Sequence, residues 1–283
     1  VTGVQTCALP ISAIERGLEV LARRGHRLAA VLLTHGHADH SGSARYFAER
    51  YQVPIYVHRL EQQFLDGTMG YPPPDPTIGG PHAFLTRLID ERPKNLSPHL
   101  MPLDYGQAWC ASEGKIHELP EWRWIHTPGH SPGHIALFRE RDRVLIAGDA
   151  LESVNFDRWG ALLRRTATLW RGESPYICNW KQARNSVKLL AMLQPQTILC
   201  GHGPVLHGRA VAQQLGAFAA NYPVPVRGRY VRAGARYDDT GALQLPPALR
   251  DRSLWVGSAL LLGALAASKA YRVAKGARSQ GQR

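Results

Sequence analysis

Residues 34–40, Thr-His-Gly-His-Ala-Asp-His, place three histidines and an aspartate within six positions, directly after the apolar run "LAAVLL". A short uninterrupted apolar run that ends in polar residues reads as a buried strand. Side chains able to hold a metal therefore begin where a strand stops. The same placement recurs down the chain: His130 follows "WRWIHT", Asp149 follows "RVLIAG" and His202 follows "QTILCG". Open α/β sheets gather their loops at strand ends. His35, His37, Asp39, His40, His130, Asp149 and His202 are thus expected to meet in one site. Imidazole nitrogen and carboxylate oxygen suit zinc and related ions, and this set exceeds what one tetrahedral zinc needs. Two adjacent ions are expected, with zinc as the first choice and iron or manganese as alternatives.

The rest of the body alternates strands and helices. Ile14, Leu18 and Leu21 recur at helical spacing over 13–24, "SARYFAERY" reads as a helix, and "VPIYVH" as a second short strand. Strand, loop, helix and strand in this order define an α/β layered fold. From Arg59 to about Gly106 the pattern weakens, and "YPPPDPTIGG" is too rich in proline for regular structure. A long irregular insertion beside a site suggests a lid or substrate wall. "IALF" and "RVLIAGD" read as a hairpin, and the residues Trp180, Ala183, Val187, Leu190 and Ala191 mark one face of a helix. Another helix, "RAVAQQLGAFAANY", closes the body.

Charge separates the body from the tail. The formal net charge of the 283 residues is +12, but residues 1–226 hold 23 Lys and Arg against 19 Asp and Glu, whereas 227–283 hold 11 against 3. A nearly balanced body argues against nucleic acid as a partner. The cysteines Cys7, Cys110, Cys178 and Cys200 form no CxxC pair and signal neither a zinc knuckle nor a disulfide framework.

"HGHADH", "TPGHSPGH", "AGDAL" and "GHGP", in this order, resemble the successive motifs of the metallo-β-lactamase superfamily, in a generic branch similar to glyoxalase II and lactonases. The resemblance runs from about Ala13 to Tyr222. It implies an αββα four-layer sandwich with two metals at one edge. His35, His37 and His130 would hold the first ion, Asp39, His40 and His202 the second, and Asp149 would bridge them. His134 is expected to support its loop, and His58, His82 and His126 to be ordinary histidines. The family's first strands are missing from this sequence. The first eleven residues, "VTGVQTCALPI", resemble a translated sequencing adapter, which would make residues 1–12 an artefact and the domain over 13–226 truncated at its start.

The implied function is that of a dinuclear metal-dependent hydrolase using a metal-bridging hydroxide. Asp149 and Asp39 are the expected catalytic carboxylates, Asp39 also as a proton carrier. Small esters, lactones or thioesters are the expected substrates. A phosphodiesterase of the same fold and a non-catalytic metal-binding regulatory module are the alternatives. His37 departs from the flavodiiron pattern, Asp149 stands where the cysteine-liganded antibiotic hydrolases have Cys, and Gly203 and Pro204 replace the Glu-Tyr usual in glyoxalase II.

The segment 227–252 reads as a linker, 253–275 as a candidate transmembrane helix and 276–283 as a basic tail. Residues 254–271 carry no charge before Lys269, and as a helix they would extend about 27 Å, close to a bilayer core. Membrane association through this helix is the expected location, with a cytoplasmic protein as the alternative.

Overall fold

The computed structural model describes residues 11–86, 95–103, 113–116, 118–158, 160 and 167–250. In chain order the helices and strands are α1 (Ile11–Ala22), β1 (Val31–Leu32), α2 (Ala38–Ser41), α3 (Ala44–Tyr51), β2 (Ile55–Val57), α4 (Arg59–Leu65), α5 (Pro81–Leu85), β3 (Leu100–Pro102), β4 (Glu113–Lys115), β5 (Trp122–His126), β6 (Ile135–Arg139), β7 (Val144–Gly148), β8 (Leu151–Glu152), β9 (Trp170–Arg171), α6 (Trp180–Met192), β10 (Thr197–Cys200), β11 (Leu206–His207), α7 (Val211–Ala220), β12 (Arg236–Asp238) and β13 (Gly241–Gln244).

Two sheets form the centre. β1, β2 and β3 make a parallel three-stranded sheet. The second sheet has the order β11-β10-β7-β6-β5-β4, parallel at β10–β7 and antiparallel elsewhere. Successive side chains on a strand point to opposite faces, and here both faces of the larger sheet are apolar. Trp122 and Trp124 of β5 and Ile135 and Leu137 of β6 form one cluster, against which Leu32, Tyr56, Val144 and Ile146 pack. That cluster lies between the sheets. The alternate residues Ile125, Ala136, Phe138, Leu145 and Ala147 pack against Trp180, Ala183, Val187 and Leu190 of α6 and Val211, Leu215 and Ala219 of α7. On the far side of the small sheet, Leu33, Ile55 and Val57 meet Ala44 and Ala48 of α3 and Leu65 of α4. The layers are thus helix, sheet, sheet, helix, an αββα sandwich. No strand precedes Val31 among the described residues.

Two elements depart from the patterns read in the sequence. The run "LAAVLL" pairs over only Val31–Leu32 because its partner β2 is itself short and follows Pro54, whose carbonyl accepts from Val31 N–H at 2.9 Å. The segment read as a linker carries the antiparallel pair β12–β13 and two core residues, Tyr230 and Ala235. Tyr230 donates its hydroxyl to the Pro73 carbonyl at 2.7 Å, and Gln63 of α4 donates to the Asp238 carbonyl at 3.0 Å. Residues up to Pro247 form one compact unit, and a second begins at Ala248.

The expectation of a membrane anchor is corrected. No helix among the described residues is long and apolar enough to cross a membrane. The longest of them, α6, has 13 residues and extends about 20 Å, with charged residues along one side. The stretch 254–271 lies outside the described residues, as do residues 1–10 of the proposed adapter stretch 1–12, whose last two residues open α1. Membrane association and a membrane location are therefore not part of the functional reading below.

Candidate metal centre

β1 ends in the loop that carries His35 and His37, and the single turn of α2 presents Asp39 and His40. His130 sits in the loop after β5, Asp149 directly after β7, and His202 just after β10. All seven residues singled out in the sequence come to one edge of the sandwich. Three imidazole nitrogens converge first: His130 Nε2 lies 2.9 Å from His37 Nδ1 and 3.2 Å from His35 Nε2. All three residues are buried. A second group joins Asp39, His40 and His202, with Asp39 Oδ2 at 3.1 Å from His202 Nε2 and 3.4 Å from His40 Nε2.

Asp149 stands between the groups. Its Oδ2 is 3.3 Å from His130 Nε2 and 3.7 Å from His35 Nε2, and its Oδ1 is 3.2 Å from His40 Nε2. His134 orients it. The Asp149 backbone N–H donates to His134 Nε2 at 3.0 Å, so that nitrogen is the acceptor and His134 Nδ1, 2.8 Å from Thr127 Oγ1, carries the proton. His134 thus supports its loop as the sequence suggests.

The donor chemistry fits a cation. Each ring nitrogen holds either a lone pair or one in-plane proton, so three that meet cannot all pair with one another, and at least one lone pair faces its neighbours. Two nitrogens bound to one tetrahedral zinc at about 2.0–2.1 Å stand about 3.3 Å apart, close to the spacing of the trio. The same three histidines, and the groups His35–His40–Asp149 and Asp39–His40–His202, each bring one candidate ligand atom within 4.8 Å of the others.

Electrostatics distinguish the two groupings. Burial, reinforced by the neighbouring histidines, drives His35 well below the usual imidazole range, and burial does the same to His130 against the opposing pull of Asp149. Neutral imidazoles are the form that binds metal. Burial alone would raise Asp39 and Asp149, but the close histidines outweigh it and hold both carboxyls well below the usual range. His202 is pushed up to about 9, because Asp39 beside it, with Asp149 and Glu173, overcomes its burial.

Several residues at the site carry no sequence signal. Glu173, in the loop after β9, joins Asp149 and His202 in a further group, and burial and the Asp149 charge push it up to about 8. His82 of the irregular insertion lies 3.7 Å from the Glu173 carboxylate. Rings of Tyr71, Tyr176, His82 and Phe156 surround the imidazoles: Tyr71 and Tyr176 face His37 at 4.4 and 5.2 Å, and Phe156 faces His202 at 5.8 Å between ring centres. The insertion therefore forms part of the wall, as its place beside the first motif suggests.

A sandwich with histidine and carboxylate groups able to hold metal at the ends of its strands defines a metal-dependent hydrolytic enzyme. The chain belongs to the metallo-beta-lactamase superfamily, whose family model matches residues 8–202. The probable metallo-hydrolase YflN of Bacillus subtilis (strain 168) is 36% identical over 186 residues, which are 65% of this chain and 68% of that protein. The hydroxyacylglutathione hydrolase GloC of Haemophilus influenzae is 27% identical over 144 residues, 50% of this chain and 58% of that one. Among solved structures, TTHA1623 in a di-iron-bound form is similar at 25% identity and a TM-score of 0.43, with 73% of this chain and 82% of that one covered.

Proposed function

We propose that the protein hydrolyses small esters, lactones or thioesters at a dinuclear zinc centre. His35, His37 and His130 are assigned to one ion, Asp39, His40 and His202 to the other, and Asp149 to both. The observation that carries this reading is the Asp149 carboxylate, which reaches both imidazole groups: its Oδ2 lies 3.3 Å from His130 Nε2 and 3.8 Å from His202 Nε2, and its Oδ1 3.2 Å from His40 Nε2. A bound pair of ions supplies Lewis acidity and brings the pKa of water toward neutrality.

The chain's own residues then hold and aim. The backbone N–H of Asp149 is held by His134, which fixes the main chain from which the carboxylate projects between the two groups. Asp39 contacts both His40 and His202 through Oδ2 and keeps the two imidazoles together for the second ion. The aromatic wall of Tyr71, Tyr176 and Phe156 limits water at the reacting face and offers an apolar surface to an acyl group.

The rings of Tyr71, Tyr176 and Phe156 beside the imidazoles favour an apolar acyl group over a phosphodiester. The GloC relative, by its name a hydrolase of a glutathione thioester, supports a thioester within the acyl class. Gly203 and Pro204, where Glu-Tyr is usual, weigh against glutathione itself.

Chromogenic lactone, aryl ester, thioester and phosphodiester substrates, presented in parallel to the zinc-loaded chain, test the proposal. Turnover of an acyl substrate, abolished by chelation and restored by zinc, is the expected result. Faster turnover of the phosphodiester than of every acyl substrate would reject it.

A further inference from the structure

Outside the ligand set, one buried carboxylate touches both histidine loops. Glu61 is fully buried in the first turn of α4. Its Oε2 accepts from the Gly36 backbone N–H at 3.1 Å and from the Tyr71 hydroxyl. Its Oε1 accepts from the Gly133 backbone N–H at 2.7 Å and from the Ser131 hydroxyl at 2.7 Å. Gly36 separates His35 from His37, while Ser131 and Gly133 follow His130. One carboxylate therefore ties together, over 25 and 72 positions of sequence, the two loops that carry the three-histidine group.

The glycines show how close this approach is. A Cβ at Gly133 would stand 2.8 Å from Glu61 Cγ and 2.9 Å from the Glu61 backbone nitrogen, and one at Gly36 would stand 2.5 Å from the Tyr71 hydroxyl oxygen. Real Cβ atoms essentially never come so near. Both loops lie directly against α4, and Glu61 is the group they reach there.

We propose that Glu61 is a positioning residue for the three-histidine metal site, setting the spacing of the loop that carries His35 and His37 relative to the loop that carries His130. The inference rests on the reading of those histidines as ligands. Its chemistry makes a sharp demand on the side chain. Each oxygen takes one hydroxyl, which can rotate and accept instead, and one backbone N–H, which cannot. The amide nitrogen of a glutamine, placed on either side, would face the N–H of Gly36 or of Gly133. Glutamine at 61 therefore keeps the volume but loses one carboxylate–backbone tie, leaving the Gly36 N–H to the Tyr71 hydroxyl alone, 2.8 Å away, or turning an amide donor toward the Gly133 N–H.

The test uses the full chain with zinc and cobalt as probes. Zinc affinity is read by competition with a chromogenic chelator, and ligand geometry by the visible spectrum of the cobalt form. Glu61→Gln is expected to weaken zinc at the first site by about 10- to 100-fold, the range typical of groups that orient ligands, and to alter the cobalt bands. Val187→Ala, on the buried face of α6, serves as the control for stability lost elsewhere and is expected to leave both unchanged. Should Glu61→Gln not fold, Ser131→Ala and Tyr71→Phe, which each remove one hydroxyl donor, are expected to weaken zinc by smaller factors. Wild-type affinity and spectrum in folded Glu61→Gln, or in both of the milder variants, would overturn the positioning role while leaving the ligands in place. A wild-type chain that binds no zinc would overturn the ligand reading itself, and this inference with it.

Discussion

Asp149 concentrates most of the site's electrostatic demand in one side chain. Fully buried, it stays ionised only because His40, His130 and His202 surround it, and without those contacts burial would neutralise it. Asp149→Asn keeps the shape and removes the charge. Zinc stoichiometry is expected to fall from two to one per chain, and kcat/KM by about 10²-fold or more, while the metal-free protein stays folded. Metal analysis after dialysis, beside a thermal melt, checks both parts. A mutant that still binds two ions would remove the bridging assignment. The seven assigned residues could be read from the sequence because metal chemistry admits few residue types and their motifs follow strands. Glu61, Tyr71, His82 and Glu173 could not. An acid in the first turn of a helix looks like any solvated helix start, Tyr71 and Glu173 lie in segments with no periodic pattern, and His82 in the short helix α5 looks like an ordinary histidine.

At the scale of elements, α6 shows what periodicity can and cannot tell. Its apolar face was legible because Trp180, Ala183, Val187 and Leu190 recur at helical spacing, and all four are buried against the larger sheet. Asn179 caps it, accepting from the Gln182 N–H at 3.1 Å. Leu190→Ala should therefore cost about 2–5 kcal/mol, as a cavity in a close-packed core does. Met192, two positions on but 72% exposed, should change stability by less than about 0.5 kcal/mol when replaced by Ala. Urea unfolding of the two variants separates them, and equal losses would mean that α6 is not seated on the sheet as described. Short elements were less legible. α4 has seven residues, too few for a periodic stripe, yet it holds Glu61 and is tied to the β12–β13 pair through Gln63 and an Arg59–Asp239 ion pair. β12 and β13 span three and four residues within a stretch that composition alone suggests is a linker. Their pairing depends on Asp238, whose Oδ1 accepts from the N–H groups of Thr240 and Gly241 to close the turn.

Across the whole molecule, the buried ionisable groups give the metal-free chain a defined pH optimum. His35, His58, His82, His126, His130 and His134 are all lowered, chiefly by burial, with His58 near about 2 and His134 near about 3. Below the ordinary imidazole value of 6.5 the unfolded chain takes up protons that the folded chain refuses. Their contribution to stability is therefore complete above 6.5 and is lost as pH falls. Glu152 and Glu173 act in the opposite sense: burial raises both, Glu173 to about 8, so their contribution is complete below 4.5 and is lost as pH rises. His202, raised to about 9, likewise loses its contribution between 6.5 and 9. Among the described residues named above, six imidazoles oppose two carboxyls between pH 4.5 and 6.5, so stability rises with pH; above 6.5 the opposing groups of this set still titrate, and it falls. Each group changes the slope by at most about 1.4 kcal/mol per pH unit. Chelator-treated protein unfolded in urea across pH 4–9 is thus expected to be most stable near pH 6.5, with the steeper loss on the acid side. His58→Asn retains an acceptor for the Leu60 N–H at the start of α4 but binds no proton. It should flatten the acid limb and leave the alkaline limb unchanged. A profile that rises steadily from pH 6.5 to 9, or an acid limb indifferent to residue 58, would show that these groups are not held in the protonation states their burial imposes.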